Sequence, residues 1–480
     1  MKTVSSLHAY FRILVVSIFV ALLGLGSTPH ALSGLLSNAY QSAAVGDYHN
    51  AAKYLIDISA YYPERADIII QAAHFAFQAG ESQLVIQYLG RPDVNKYLLI
   101  DDRILLGDAY LQNGEIVKAE AVWADVAQQS DSQQVIQRLA DLYLQQKDYS
   151  SAVTYLRKLI DLDPTNGQLY YQVGCLEAFI DPLKALPYLA QAAQIDPSIA
   201  ANAQALHNKI RTANLFEQPA YTLLVSGRQL ASVDEWVYAT EAFKRATEQD
   251  PDYADAWAFL GEAEQQVIIQ ETGSTTDAGL DELQHAIHLD ADSILANTFF
   301  GLYWERQQDF SQAQHYLEKA IDLDPSDPYL YSELGNILSK SGELPAAQTE
   351  YEKAIQLTPQ NPLFYRLLAG FALENHIQVR ELALPAARQA VILDENDSDS
   401  LDMMAQVMLA LEDYHSAENY SLEAVHANPA NVVACLHLGT VYLNLGEPTL
   451  AYQWLSTARD LDPGSWASAQ ADRMISYYFP

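Results

Sequence analysis

The chain has 480 residues, half of them hydrophobic, with 61 acids set against 27 bases and a formal net charge of -34. An ordinary domain divides its charged residues about evenly, so the unusual feature is the scarcity of Lys and Arg. A surface so poor in bases cannot neutralise a phosphate backbone, which excludes nucleic acid as a partner, and the hydrophobic half excludes a disordered acidic chain. Cys175 and Cys435 are the only cysteines, so there is neither a disulfide framework nor Cys-based zinc spacing, and both read as core thiols.

At the N-terminus, Lys2 and Arg12 flank a polar start, and Ile13 to Leu25 then form an apolar stretch of 13 residues. That length suits the apolar region of a secretory signal and falls short of the roughly 20 residues of a membrane-spanning helix. Residues 1–31 therefore read as a signal peptide or, if uncleaved, an N-terminal signal anchor. In both cases the two bases stay on the cytoplasmic side, and the rest is expected to be extracytoplasmic: secreted, periplasmic or at the cell surface. Membrane contact is expected only through this segment. No Cys follows the apolar run, which excludes a lipid-anchored lipoprotein.

Beyond residue 31 a period of 34 residues governs the chain. Pro325 and Pro359 keep this step, as do Pro429 and Pro463, Gly301 and Gly335, Ala313 and Ala347, Ala417 and Ala451. A fixed period of this length means stacked supersecondary units. Within 294–327, Phe300, Gly301 and Trp304 step by three and four, Gln308 and Asp309 break the pattern, and Ala313, Leu317 and Ala320 resume it. Each unit is thus two helices, ended by a Pro that starts the next. An acid recurs in the turn between them, at Asp47, Glu81, Glu115, Asp148, Glu235, Asp309, Glu343, Asp413 and Glu447. There it is expected to cap the second helix, worth roughly 0.5–1 kcal/mol each.

These positions resemble the tetratricopeptide repeat, whose pattern runs Trp-x-x-Leu-Gly-x-x-Tyr, then Ala, an aromatic or Leu, Ala, and Pro. Trp257, Leu260 and Gly261 carry its opening. Leu334, Gly335, Ala347, Tyr351, Ala354 and Pro359 carry most of it, as do Leu438, Gly439, Tyr442, Ala451, Leu455, Ala458 and Pro463. The register gives about twelve units, starting near 32, 66, 100, 133, 167, 220, 254, 294, 328, 362, 398 and 432, the second of them degenerate. The resemblance implies an all-α solenoid, a right-handed superhelix of stacked antiparallel helix pairs. The expected division is an N-terminal array over 32–197, a connecting helix over 198–219, a C-terminal array over 220–465 and a capping helix over 466–480. The unit at 254 carries about six extra residues around Thr272 to Gly279, expected to bulge between its two helices.

In this family the first helices line a concave groove, so the resemblance places Tyr171, Tyr221, Arg228, Phe299, Tyr329, Asn336 and Arg366 on a partner-binding surface. Tyr40 and Arg138 belong to the same row. The Lys and Asn clamp with which co-chaperone members grip acidic tails is absent at the matching positions. His285 and His288 are three apart, but without a third ligand they read as solvated helix residues. No nucleophile motif and no phosphate-cradling loop is present, so no catalytic residue, metal or cofactor is expected. The sequence therefore points to a non-catalytic scaffold or adaptor that binds proteins or peptides through the groove. The alternative is a carbohydrate or cell-wall binding module using the groove aromatics.

Overall fold

The computed structural model describes residues 30–479, so the expected leader, up to residue 29, lies outside the described residues. Among those described, every regular element is helical, with 27 α-helices packed in consecutive pairs. Two compact units meet in sequence between Asn208 and Lys209.

In the N-terminal unit the pairs are α1 (His30–Ala44) with α2 (Tyr48–Ser59), α3 (Ala66–Gln78) with α4 (Ser82–Leu89), and, after the one-turn α5 (Pro92–Asn95), α6 (Ile100–Gln112) with α7 (Ile116–Gln129). α8 (Gln133–Gln145) with α9 (Tyr149–Leu162), and α10 (Gly167–Ile180) with α11 (Pro182–Ile195), complete it, and α12 (Ala200–Ala213) spans the division. The C-terminal unit holds α13 (Pro219–Ala231) with α14 (Trp236–Gln249), α15 (Ala254–Thr272) with α16 (Leu280–Leu289), α17 (Ile294–Arg306) with α18 (Phe310–Leu323), and α19 (Pro328–Ser341) with α20 (Leu344–Leu357). α21 (Pro362–Glu374) with α22 (Leu384–Leu393), α23 (Ser398–Ala410) with α24 (Tyr414–Ala427), and α25 (Val432–Leu445) with α26 (Pro448–Leu461) follow, and α27 (Trp466–Tyr478) ends the chain. The twelve pairs fall in the register of the 34-residue period.

Helix starts are fixed by side chains next to them. All nine recurring acids occupy N-cap positions, but they divide by length. Asp47, Asp148, Asp309 and Asp413 each accept a hydrogen bond from the backbone N–H three residues on, at 3.1–3.2 Å. Glu81, Glu115, Glu235, Glu343 and Glu447 make no such bond. Their extra methylene carries the carboxylate past the N–H, leaving only attraction to the helix dipole, so the expectation that all nine cap holds for the aspartates alone. Asp163, Asp196, Asp250, Asp290, Asp324 and Asp394, in the turns between repeats, accept from the N–H two residues on. This repeated Asx turn carries the chain from one pair to the next.

Within each pair, the small residue of the first helix lies against a large residue of the second. A methyl group on Gly227 would come within 2.5 Å of the Phe243 ring, and one on Gly439 within 2.8 Å of Leu455. Phe243 and Leu455 are fully buried, each burial worth roughly 2–3 kcal/mol. Cys175 and Cys435 are buried and form no disulfide.

Two irregular units show how extra residues are absorbed. The unit at 362 is two residues long for its period, and a π-helical turn at Val379–Ala383 takes them up before α22. In the unit at 254, α15 extends to 19 residues and the expected bulge is tied down instead. The buried Gln265 amide donates to the carbonyls of Ala278 at 3.0 Å and Thr276 at 3.4 Å, and Gln307 of the next repeat donates to Thr276 at 2.7 Å. At the end of the chain, Ala467, Ala471 and Ile475 of α27 are buried, whereas Trp466 is 64% exposed, so Ile475 and not Trp466 covers the last pair.

Candidate binding groove

First helices pack on first helices along most of the C-terminal unit, the exception being the step from α17 to α19. α13 packs on α15, α15 on α17, α19 on α21, α21 on α23, α23 on α25, and α25 on α27, with no such close packing between successive second helices. A layer whose members sit closer together than those behind it is the concave side of its array.

What crosses this row is charge. Arg306 of α17 meets Glu262 of α15 at 2.5 and 2.8 Å and adds a 2.9 Å bond to Gln265. Lys340 and Asn336 of α19 both reach Glu305 of α17, Asn336 at 3.4 Å. Arg366 of α21 pairs with Asp397, the N-cap of α23, and approaches Asp399 at 3.7 Å. His437 of α25 meets Asp402 of α23 at 2.8 Å; burial alone would lower its pKa, but the carboxylate raises it. The N-terminal unit repeats the device with Arg138 and Asp108, at 2.5 and 2.8 Å, and with His74 and Asp102, at 2.7 Å. These bases thus join one first helix to the next.

Arg366 and Asn336 are both engaged with carboxylates, so they line the row as struts. Tyr171 is buried within its repeat and offers a partner no face. Tyr221 is half-buried, edge-on to Phe216 at 5.4 Å. Phe299 is half-buried and meets Phe259 edge-to-face at 5.1 Å, while Phe259 stacks on Phe243 at 5.2 Å. Arg228 is exposed, its guanidinium 5.3 Å from the centre of the Phe259 ring. Tyr329 is 53% exposed with its edge against Phe364. The structure therefore gathers Tyr221, Arg228 and Phe299 at one end of the C-terminal row, with Tyr329 two helices further on.

The sequence reading missed Phe259, Glu262, Glu305 and Glu333. Glu333 of α19 has no ion pair with any described residue, and burial, followed by the charge of Glu305, pushes its carboxyl above the ordinary range. The missed signal was an acid on one first helix matched by a base one repeat later, as in Glu305 and Lys340. The six added residues lengthen the separation of Glu262 and Arg306 to 44 residues and obscure that pair.

His285 packs edge-on against Trp257, ring centres 4.5 Å apart. No group of three His, Cys, Asp or Glu side chains able to hold a metal is gathered among the described residues. No helix among them is long and apolar enough to cross a membrane.

Antiparallel helix pairs stacked in one register, with a row of first helices on one side, define an α-solenoid repeat protein. Family models of the tetratricopeptide repeat match residues 133–166, 306–370 and 403–465. The chain is a tetratricopeptide-repeat protein. Similar solved structures include the yeast Tom70, at 15% identity over 80% of this chain and 96% of that one, with a TM-score of 0.36. YrrB, described as a tetratricopeptide-repeat protein with an unusual peptide-binding site, has 20% identity over 40% of this chain and 97% of its own, with a TM-score of 0.28. The MamA protein has 16% identity over 40% of this chain and 97% of its own, with a TM-score of 0.29. No curated protein matches the chain in sequence.

Proposed function

We propose that this protein is a non-catalytic scaffold that holds an extended segment of a partner protein along the first helices of its C-terminal unit. We further infer that it works outside the cytoplasm, exported or tethered by residues 1–31. The observation that carries the binding role is the aromatic strip of Phe259 and Phe299 beside the exposed Arg228, on the side of the array where first helices pack together. Large, partly open rings next to a charged group are the usual anchors of a protein interface. Tyr329 extends the strip, and its open ring is also the feature a sugar would stack on, which keeps the carbohydrate reading as the second one.

Affinity capture with the full-length protein tests the role. A specific partner should be retained by the native protein and lost by Phe299→Ala and Tyr221→Ala, with circular dichroism unchanged. Retention of that partner by both variants would sink the groove reading, and binding to polysaccharide in place of protein would favour the second.

A further inference from the structure

We propose that the segment held in the C-terminal groove is charge-ordered: an acidic side chain over Arg228, a large apolar side chain over Phe299, and a basic side chain over Glu333. This rests on the groove reading above and gives its partner a chemistry.

Charge is unevenly matched along α13 to α25. Four Lys or Arg side chains lie on these first helices: Arg228, Arg306, Lys340 and Arg366. The last three are each paired with a carboxylate of the neighbouring first helix or its N-cap. Arg228 has no ion pair with any described residue and rests on the face of Phe259. In a chain with 61 acids, a base left open in this row stands out. Stacking fixes the plane of the guanidinium while its N–H edge stays available for a carboxylate.

The opposite imbalance lies three repeats further along, at Glu333. Glu262, Glu305 and Glu333 face two cations, Arg306 and Lys340, which are already bonded to Glu262 and Glu305. Glu333, half-buried beside Glu305, is the carboxylate left without a bonded cation among the described residues, and burial followed by the charge of Glu305 disfavours its ionised form. A uniformly acidic segment would be repelled there, and a uniformly basic one would meet Arg228. Three helix-to-helix steps of roughly 9 Å separate α13 from α19, about 27 Å, which an extended chain covers in about eight residues.

Random peptides displayed on phage and selected on the full-length protein test this. The expected winners carry Asp or Glu and, about eight residues away and always in the same direction, Lys or Arg, with aromatic or large aliphatic residues between. A winning synthetic peptide should bind Arg228→Glu more than about tenfold more weakly, and replacing its acid with Lys should restore binding to that variant. Arg228→Gln, with thermal unfolding unchanged, should show a smaller loss in the same direction. Winners without an acid, or affinity unchanged by Arg228→Glu while Phe299→Ala still weakens binding, would overturn the charge order and leave the groove reading standing. Binding insensitive to Arg228, Phe299 and Glu333 substitutions alike would overturn both.

Discussion

Arg306 reaches back across a repeat boundary to grip Glu262, and both side chains are largely shielded, at 16% and 9% exposure. Removing one partner of a buried pair leaves an uncompensated charge, so Arg306→Ala should destabilise the C-terminal unit by about 3 kcal/mol in chemical unfolding. The double variant Arg306→Met with Glu262→Leu should lie within about 1 kcal/mol of the native protein, because apolar side chains of similar size need no charge partner. Equal losses in the single and double variants would show that packing, not charge, links these helices.

The turn before each capping acid requires a left-handed residue. Gly342 fills it at φ 88°, whereas Gln308 fills the same place at φ 62°. Gln308→Gly should raise stability by up to about 1 kcal/mol, and Gly342→Ala should lower it by about the same amount, both read from urea midpoints. A destabilised Gln308→Gly would mean that its side chain makes a contact worth more than the strain.

Glu264 faces Glu282 across the extended repeat, and burial, followed by that second carboxylate, raises its pKa to about 7. A carboxyl with a folded-state pKa above its unfolded value contributes stability in full below the unfolded pKa. The contribution is lost as pH rises through the folded one. The native protein should therefore lose melting temperature between pH 5 and pH 8 relative to Glu264→Gln. Parallel melting profiles for the two proteins would contradict this.

Gly227 and Gly335 occupy the same repeat position with different clearances. A methyl on Gly227 meets the buried Phe243 ring at 2.5 Å, and one on Gly335 meets Tyr351 at 3.1 Å. Gly227→Ala should cost about 2 kcal/mol and Gly335→Ala less than half of that, as calorimetry can resolve.

Truncation after Pro463 removes α27 and uncovers the core formed by Cys435, Leu438 and Leu455. Terminal repeats need a covering element, so the truncated protein should self-associate in gel filtration. A soluble monomeric product would show that α26 closes the array unaided.

Architecture was legible because it is written in spacing: Gly301 and Gly335, or Ala313 and Ala347, recur at a step that only stacked helix pairs satisfy. The acids at the turns were legible as a position, but not in their chemistry, because one methylene separates an aspartate that caps from a glutamate that does not. The groove was the least legible part. Aromatic and basic residue types mark candidates, yet whether Arg366 is open or engaged depends on Asp397, which sits at the start of the next repeat and looks like an ordinary cap. Tyr171 and Tyr221 both lie on first helices, and only packing decides that the first is buried and the second half-open.

The most direct measurement of the groove claim is site-specific photo-crosslinking with the full-length protein and its captured partner. The probe replaces Tyr329 on a first helix in one variant and the exposed Lys353 on a second helix in another. Binding along the first helices gives partner adducts at Tyr329 and none at Lys353. Adducts at Lys353 without adducts at Tyr329 would contradict it.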